Sequence, residues 1–411
     1  MIEKYQRLIN ELVIVIKNSD VYSIKKSEII RRTVRLFGKG KIAIAASKGN
    51  VGFATIIKEV EKNIKYGQCY NYNMPDNSVV HHYFTVKKQV SSDKEFIKFV
   101  SILFEKIRSK FPDYIFLNSI KRSIIEKNIN IRDKSDLLIK YHIINFTILF
   151  KHKNSKNIFD GILPYIKTDL FDVDVYIDKI GEIIKALNNP SSLNKFDFPI
   201  ALMNINNTFI GKKIRDYIVG ENYHKGSSIL SGTQSKRIFN ENINMFDVSY
   251  YPEKAVFNIF DDELFIRENY YLPIIENGIL RNLLYDRRTA NIYKQDPTGN
   301  GIKPEYNKFP QTSANALLFR VNDQDEIPKR AIVPFIFYEG NIDSNGIFSA
   351  PCPLAFLMED GKFTSVLPQL YITGNIFELF GENFIGMGNK YFADSHINPF
   401  IYSRVNITKL H

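Results

Sequence analysis

Tryptophan is absent from the 411 residues, and cysteine occurs only twice, at Cys69 and Cys352. Two distant thiols cannot staple a chain of this length, and neither sits in a CxxC spacing. A disulfide scaffold is therefore excluded, and a reducing compartment is the natural setting. Apolar runs are short as well. None approaches the roughly 20 residues of a membrane-spanning helix. The opening Met1-Ile2-Glu3-Lys4-Tyr5 lacks the charged-then-apolar pattern of a secretory signal, so a cytoplasmic location is expected.

The familiar motifs of cofactor and metal chemistry are missing too. Thr298-Gly299-Asn300-Gly301 has no Lys-Ser or Lys-Thr after it, and no GxGxxG opens a helix after a strand. The seven histidines form no HExxH, and none lies near a cysteine at a metal spacing. His81 and His82 are adjacent in an expected strand, so their side chains face opposite sides. Glu221 and His224 bring a carboxylate near an imidazole, but two donors do not make a site. Ser227, Ser228 and Ser231 lie beside His224 without a GxSxG elbow.

What is present is bulk and positive charge. Phe (32) and Tyr (23) supply the aromatic content, and 44% hydrophobic residues suffice for a folded core rather than a disordered tail. Lys and Arg exceed Asp and Glu by 11, and the excess is uneven. Residues 1–157 hold 30 basic against 14 acidic residues, and the remainder holds 25 against 30. Such asymmetry can mark a polyanion surface. The lysines are scattered, however, and a solvated basic face is the better reading of them.

Hydrophobic periodicity outlines the elements. Tyr5, Leu8, Ile9, Leu12, Val13 and Ile16 recur at three- and four-residue steps, which predicts an amphipathic helix over 2–18. Two strands are expected over 21–47 around Gly38-Lys39-Gly40, then helices over 50–64 and 93–110, the second capped by Asp93 and stopped by Pro112. Strands follow over 114–130 and 135–152, and a helix over 172–187. Asn188-Asn189-Pro190-Ser191-Ser192 reads as a linker. Beyond it only 211–219 looks helical among short β-like runs. The fold class expected is α+β: an amino-terminal α/β sandwich-like domain (1–190) followed by a mostly antiparallel, barrel-like β domain (198–411).

Two polar clusters stand out. Asp261-Asp262-Glu263 reads as a turn with a carboxylate cap, or as a cluster in which at most two side chains converge. Arg287-Arg288 offers bidentate donors, or a structural ion pair with Asp286.

These clusters belong to an ordered series of short motifs. Phe260-Asp261-Asp262-Glu263, Ile275-Glu276-Asn277-Gly278-Ile279-Leu280, Tyr285-Asp286-Arg287-Arg288-Thr289-Ala290 and Thr298-Gly299-Asn300-Gly301 come first. Phe356-Leu357-Met358-Glu359-Asp360-Gly361 and Ile372-Thr373-Gly374-Asn375-Ile376-Phe377 follow. In this order, across 220–390, the series resembles the TldD/PmbA family, whose PmbA members are also called TldE. Ile131-Arg132-Asp133-Lys134-Ser135 and Phe159-Asp160-Gly161 are similar to family pieces in the amino-terminal half.

The resemblance implies a cytoplasmic metallopeptidase assembly, in which a TldD-type and a TldE-type chain together process unfolded or modified peptides in an enclosed cavity. TldD-type chains hold a metal through an HExxxH helix and a late cysteine. Ungapped counting places that window on Gly211-Lys212-Lys213-Ile214-Arg215-Asp216. Gly211 and Asp216 then stand at the ligand positions and Lys212 at the catalytic Glu. The late cysteine falls in Asp394-Ser395-His396-Ile397-Asn398-Pro399, which has none.

The expectation is a metal-free TldE/PmbA-like subunit with no catalytic, cofactor or metal residues of its own. Zinc is expected in a TldD-type partner, and a self-dimer is the other assembly considered. Extended peptide is the expected ligand, with Arg287, Arg288, Thr298 and Asn300 along the cavity wall; neither nucleic acid nor membrane is expected. The alternatives are a stand-alone hydrolase rebuilt from Asp216, Glu221, His224 or His396, and a nucleic-acid-associated regulator using the basic half. Segment 356–384 is expected either at a partner interface or within the chain's own core.

Overall fold

The computed structural model describes every residue except 70–80, 86–91, 132–134, 168–171, 194, 324–326, 389–397 and 411. His396 and the Arg132-Asp133-Lys134 triplet lie outside the described residues, as do the side chains of His81 and His82. The fold is mixed α+β, built on open sheets. Contacts group it into two compact units, one of Met1–Val173, Tyr250–Arg267 and Asp286–Thr312, the other of Asp174–Ser249, Glu268–Tyr285 and Ser313–His411. Two segments of the carboxy-terminal half thus join the first unit. The expected linker is not loose. Ser191 donates its N–H to Val366 O at 2.8 Å, Val366 returns a bond to Asn189 O at 3.1 Å, and Asn189 Nδ2 reaches Thr364 O at 2.8 Å.

The first unit is organised by one eight-stranded sheet. Its strands are β1 (Ile2–Lys17), β2 (Asp20–Gly38), β3 (Lys41–Lys48), β4 (Gln68–Cys69), β5 (His81–Thr85), β6 (Tyr114–Ile131), β7 (Ser135–His152) and β8 (Gly161–Lys167). They run in the order β4-β3-β2-β1-β6-β7-β5, with β8 also on β7.

The helix expected over 2–18 is therefore a strand, and the reason lies in its burial. Glu3 and Ile9 are covered on one face near its start, whereas Leu12, Ile14 and Ile16 are covered on the opposite face near its end. A strand that changes its buried face midway imitates helical spacing. The true register pairs Tyr5 with Thr33 and Ile129, across both neighbours.

Helix α1 (Phe53–Asn63) buries Ile56 and Val60 against Val34, Ala43 and Ala45 of β2 and β3. Helix α2 (Asp93–Lys110) buries Phe96, Val100, Leu103, Phe104 and Ile107. Ser92, not Asp93, caps α2 in a box with Glu95. Asp93 instead pairs with Lys26 and Arg122, tying the first turn of α2 to the sheet.

In the second unit, α3 (Val173–Leu187) buries one apolar stripe that includes Ile177, Ile180 and Ile184. A six-stranded sheet runs in the order Lys362–Val366, Leu354–Glu359, Arg330–Ile336, Ile200–Leu202, Phe400–Ser403, Phe384–Gly388. Phe356 lies between Phe335 and Phe363, with ring centroids at 5.2 and 5.0 Å. Phe380 stacks on Phe319 at 5.6 Å and meets Phe239 at 5.0 Å. Most apolar side chains of 356–384 are thus core, the second of the two placements expected for this segment. Among the described residues no helix is long and apolar enough to cross a membrane.

Candidate functional site

The window that ungapped counting sets against the metal motif lies on α4 (Phe209–Tyr217), capped by Thr208, whose hydroxyl accepts from Gly211 N at 3.1 Å. Gly211 packs directly on backbone. A Cβ there would lie 2.0 Å from Ile205 O and 2.8 Å from its carbonyl carbon. No side chain fits without moving the chain, least of all an imidazole. Lys212 and Asp216 are exposed on the same helix. A glycine offers no donor, and an ammonium beside the position repels a dication, so these residues do not fit zinc. Among the described residues no three His, Cys, Asp or Glu side chains converge on a common point.

At the following helix, α5 (Gly220–His224), the imidazole and the carboxylate have separate partners. His224 Nε2 lies 2.9 Å from the Tyr285 hydroxyl, while Glu221 pairs with Lys225 at 2.7 Å. The hydroxyls of Ser227, Ser228 and Ser231 donate to the carbonyls of Asn222, Tyr217 and Tyr223. Each of these three hydroxyls is thus engaged by the backbone. Cys352 is buried, and burial pushes its thiol up to about 12, leaving it an inert core residue.

Polar density lies instead in the first unit, around Asp261-Asp262-Glu263. Asp261 accepts from the N–H groups of Glu263 and Phe265, both at 2.8 Å, and of Gly301 at 2.9 Å. Glu263 Oε2 accepts from Arg287 N at 2.7 Å, and its carbonyl accepts from Arg287 Nε at 3.2 Å. Helix α6 (Arg287–Tyr293) begins there, capped by Asp286 in a box with Thr289. Asn300 is fully buried, its Oδ1 accepting from Arg267 Nη2 at 2.6 Å and from the Thr298 hydroxyl at 2.8 Å. Arg287, Thr298 and Asn300 thus brace the loops, and Arg288 is exposed on α6.

Asp262 turns the other way, toward the sheet. Lys127 Nζ sits 2.9 Å from its Oδ1, and Lys303 N donates to its Oδ2 at 2.8 Å. Burial opposes ionisation of Asp262, but Lys127 and Lys303 outweigh it and hold the carboxyl below its usual range. Arg35 pairs with buried Glu3 at 2.6 Å and donates to Asp262 O at 2.5 Å. Burial, then the charge on Asp261, pushes Glu263 up to about 8. Burial, then the neighbouring Arg35, pushes Lys303 down to about 7.

Beside Asp262 opens a cavity of about 160 Å³, lined by Tyr5, Arg7, Arg31, Lys127, Tyr141, Lys303 and Tyr306 among others. The motif reading found Asp262 but missed the rest. Arg7 and Arg31 meet only in a sheet, and the helical reading of 2–18 concealed their register.

Residues 205–408 match the PmbA/TldA metallopeptidase C-terminal domain. An uncharacterized protein of Methanocaldococcus jannaschii is 27% identical over 170 residues, 39% of this chain and 39% of its own length. A metalloprotease of the same organism is 31% identical over 111 residues, 26% of this chain and 25% of its own. The chain therefore spans well under half the length of either relative. In fold it is similar to TldE from Thermococcus kodakarensis, with a TM-score of 0.78 and 15% identity over 98% of this chain and 95% of that one. Through its carboxy-terminal domain, the chain belongs to the TldD/PmbA family.

Proposed function

We propose that this chain is a metal-free, TldE-like subunit of a cytoplasmic TldD/TldE-type metallopeptidase. It completes a cavity and holds extended peptide, while a TldD-type partner supplies zinc and activates water. The observation that carries the reading is α4. Its ligand positions hold Gly211, pressed onto Ile205 O, and Asp216, and its base position holds the cation Lys212. A chain with this family's domain and a single carboxylate, Asp216, as the donor at those positions contributes by binding rather than by hydrolysis.

Open sheets suit such a role, because an extended peptide adds to a strand edge through main-chain hydrogen bonds with little sequence preference. Along the proposed wall Arg288 presents its charge, and Arg287, Thr298 and Asn300 hold the loops that support it. Co-expression with a TldD-type chain tests the reading. A stable heteromeric complex by light scattering, with peptidase activity dependent on both chains, is the expected result. A monomer that neither binds that partner nor alters its activity refutes it.

A further inference from the structure

The register of the large sheet sets four cations in one line. Arg7 of β1 is paired with Arg31 of β2 on one side and Lys127 of β6 on the other, and Arg31 is paired in turn with Lys48 of β3. Paired residues share a face, and like charges placed directly opposite repel. Lys127 is neutralised by Asp262. Arg7 and Arg31 have no ion-pair partner among the described residues, although Arg31 lies over the Tyr306 ring at 5.6 Å. Arg31 Nε is also buried without a hydrogen-bond acceptor. A fold gains nothing in stability from two adjacent guanidiniums facing a cavity.

The cavity supplies the reason. Its lining carries four basic side chains, Arg7, Arg31, Lys127 and Lys303, against two carboxylates, Asp262 and Glu305. Asp262 is already engaged by Lys127, and Glu305 is exposed. Lys303 Nζ stands 4.2 Å from the Tyr5 ring centroid. The volume of about 160 Å³ matches a benzene-sized group, roughly that of a 150 Å³ cavity known to take one. Guanidinium forks match the paired oxygens of carboxylates and phosphates.

We propose that this cavity is an oxyanion site, in which Arg7 and Arg31 grip a phosphate or carboxylate group and Lys303 supplies a third cation. The aromatic rings of Tyr5, Tyr141 and Tyr306 wall it and accommodate a small organic body attached to the anion. The site lies wholly within the first unit and does not depend on the subunit reading. A nearby anion also favours the charged form of Lys303, whose ammonium burial otherwise disfavours.

Calorimetric titration of the full chain with inorganic phosphate, acetate, and one short peptide in free-acid and amidated forms tests the site. Saturable one-to-one binding of phosphate or of a free carboxylate is expected. Phosphate alone would assign a phosphoryl ligand, and binding of acetate and the free-acid but not the amidated peptide would assign a carboxylate. Arg7→Gln and Arg31→Gln should each weaken binding at least tenfold, while Lys48→Gln, at the exposed end of the row, leaves it within about twofold. Without ligand, both arginine variants should unfold at or above the wild-type temperature, because a like-charge contact is removed. No binding by any of these anions, or binding that survives Arg7→Gln with Arg31→Gln, overturns the proposal. Marked destabilisation of both variants without a binding change assigns the arginines a structural role and overturns it equally.

Discussion

Replacing Gly211 by alanine inverts an ordinary rule. Within a helix this change normally stabilises by roughly 0.5–1 kcal/mol, because glycine loses more backbone entropy on folding. Here the new methyl group would lie 2.0 Å from Ile205 O. That carbonyl cannot retreat easily, since it also accepts from Thr208 Oγ1 at 2.8 Å and Thr208 N at 3.1 Å. Overpacking costs about 1–3 kcal/mol, and a 2.0 Å approach to fixed backbone belongs at about 2–3 kcal/mol, so the clash outweighs the propensity gain and a net loss of about 1–2.5 kcal/mol remains. For a unit of this size each kcal/mol shifts Tm by roughly 2–4 °C. Scanning calorimetry of Gly211→Ala should therefore show a drop of several degrees, and Gly211→His a larger one. Lys212→Ala, on the exposed side of the helix, should stay within about 0.5 kcal/mol of wild type. A Gly211→Ala variant as stable as wild type would mean that the turn yields and that a ligand side chain could sit there, contrary to this packing.

Three further outcomes follow from the first unit. Lys127→Met leaves the Asp262 carboxylate buried without its nearest cation and should cost about 3 kcal/mol in urea unfolding; a change below 1 kcal/mol contradicts the pairing. Glu263 is raised from 4.5 to about 8, so the folded state binds more protons than the unfolded state between those values. Stability contributed by Glu263 is present in full below about pH 4.5 and is lost as pH rises through 8. Glu263→Gln keeps an acceptor for Arg287 N and should flatten that decline; an unchanged pH profile contradicts it. Asp286→Ala removes the cap of α6 and should cost about 0.5–2 kcal/mol, whereas Asp286→Asn should cost less.

Local chemistry made much of the architecture legible. The hairpin around Gly38-Lys39-Gly40, α1, α2, the long strands β6 and β7, and α3 all follow from alternation, turn residues and breakers, and all are present. The first strand was not legible, because two partial coverings on opposite faces combine into helical spacing. That error hid the site as well. Arg7 belongs beside Arg31 and Lys127 only through pairings that span 24 and 120 residues of sequence. Asp261–Glu263 stood out as a motif, yet the division of labour within it depends on burial. Asp261 ties its own turn, Glu263 seats α6, and Asp262 alone faces the sheet.

Zinc content, measured with and without a partner, separates a metal-free subunit from a metallopeptidase. The purified chain, incubated with excess zinc and desalted, is compared with a TldD-type chain and with their complex by elemental analysis and peptide cleavage. No stoichiometric zinc and no cleavage are expected for this chain alone, and about one zinc per heterodimer, held by the partner. One tightly held zinc per isolated chain, with peptidase activity lost on chelation, would contradict the metal-free reading.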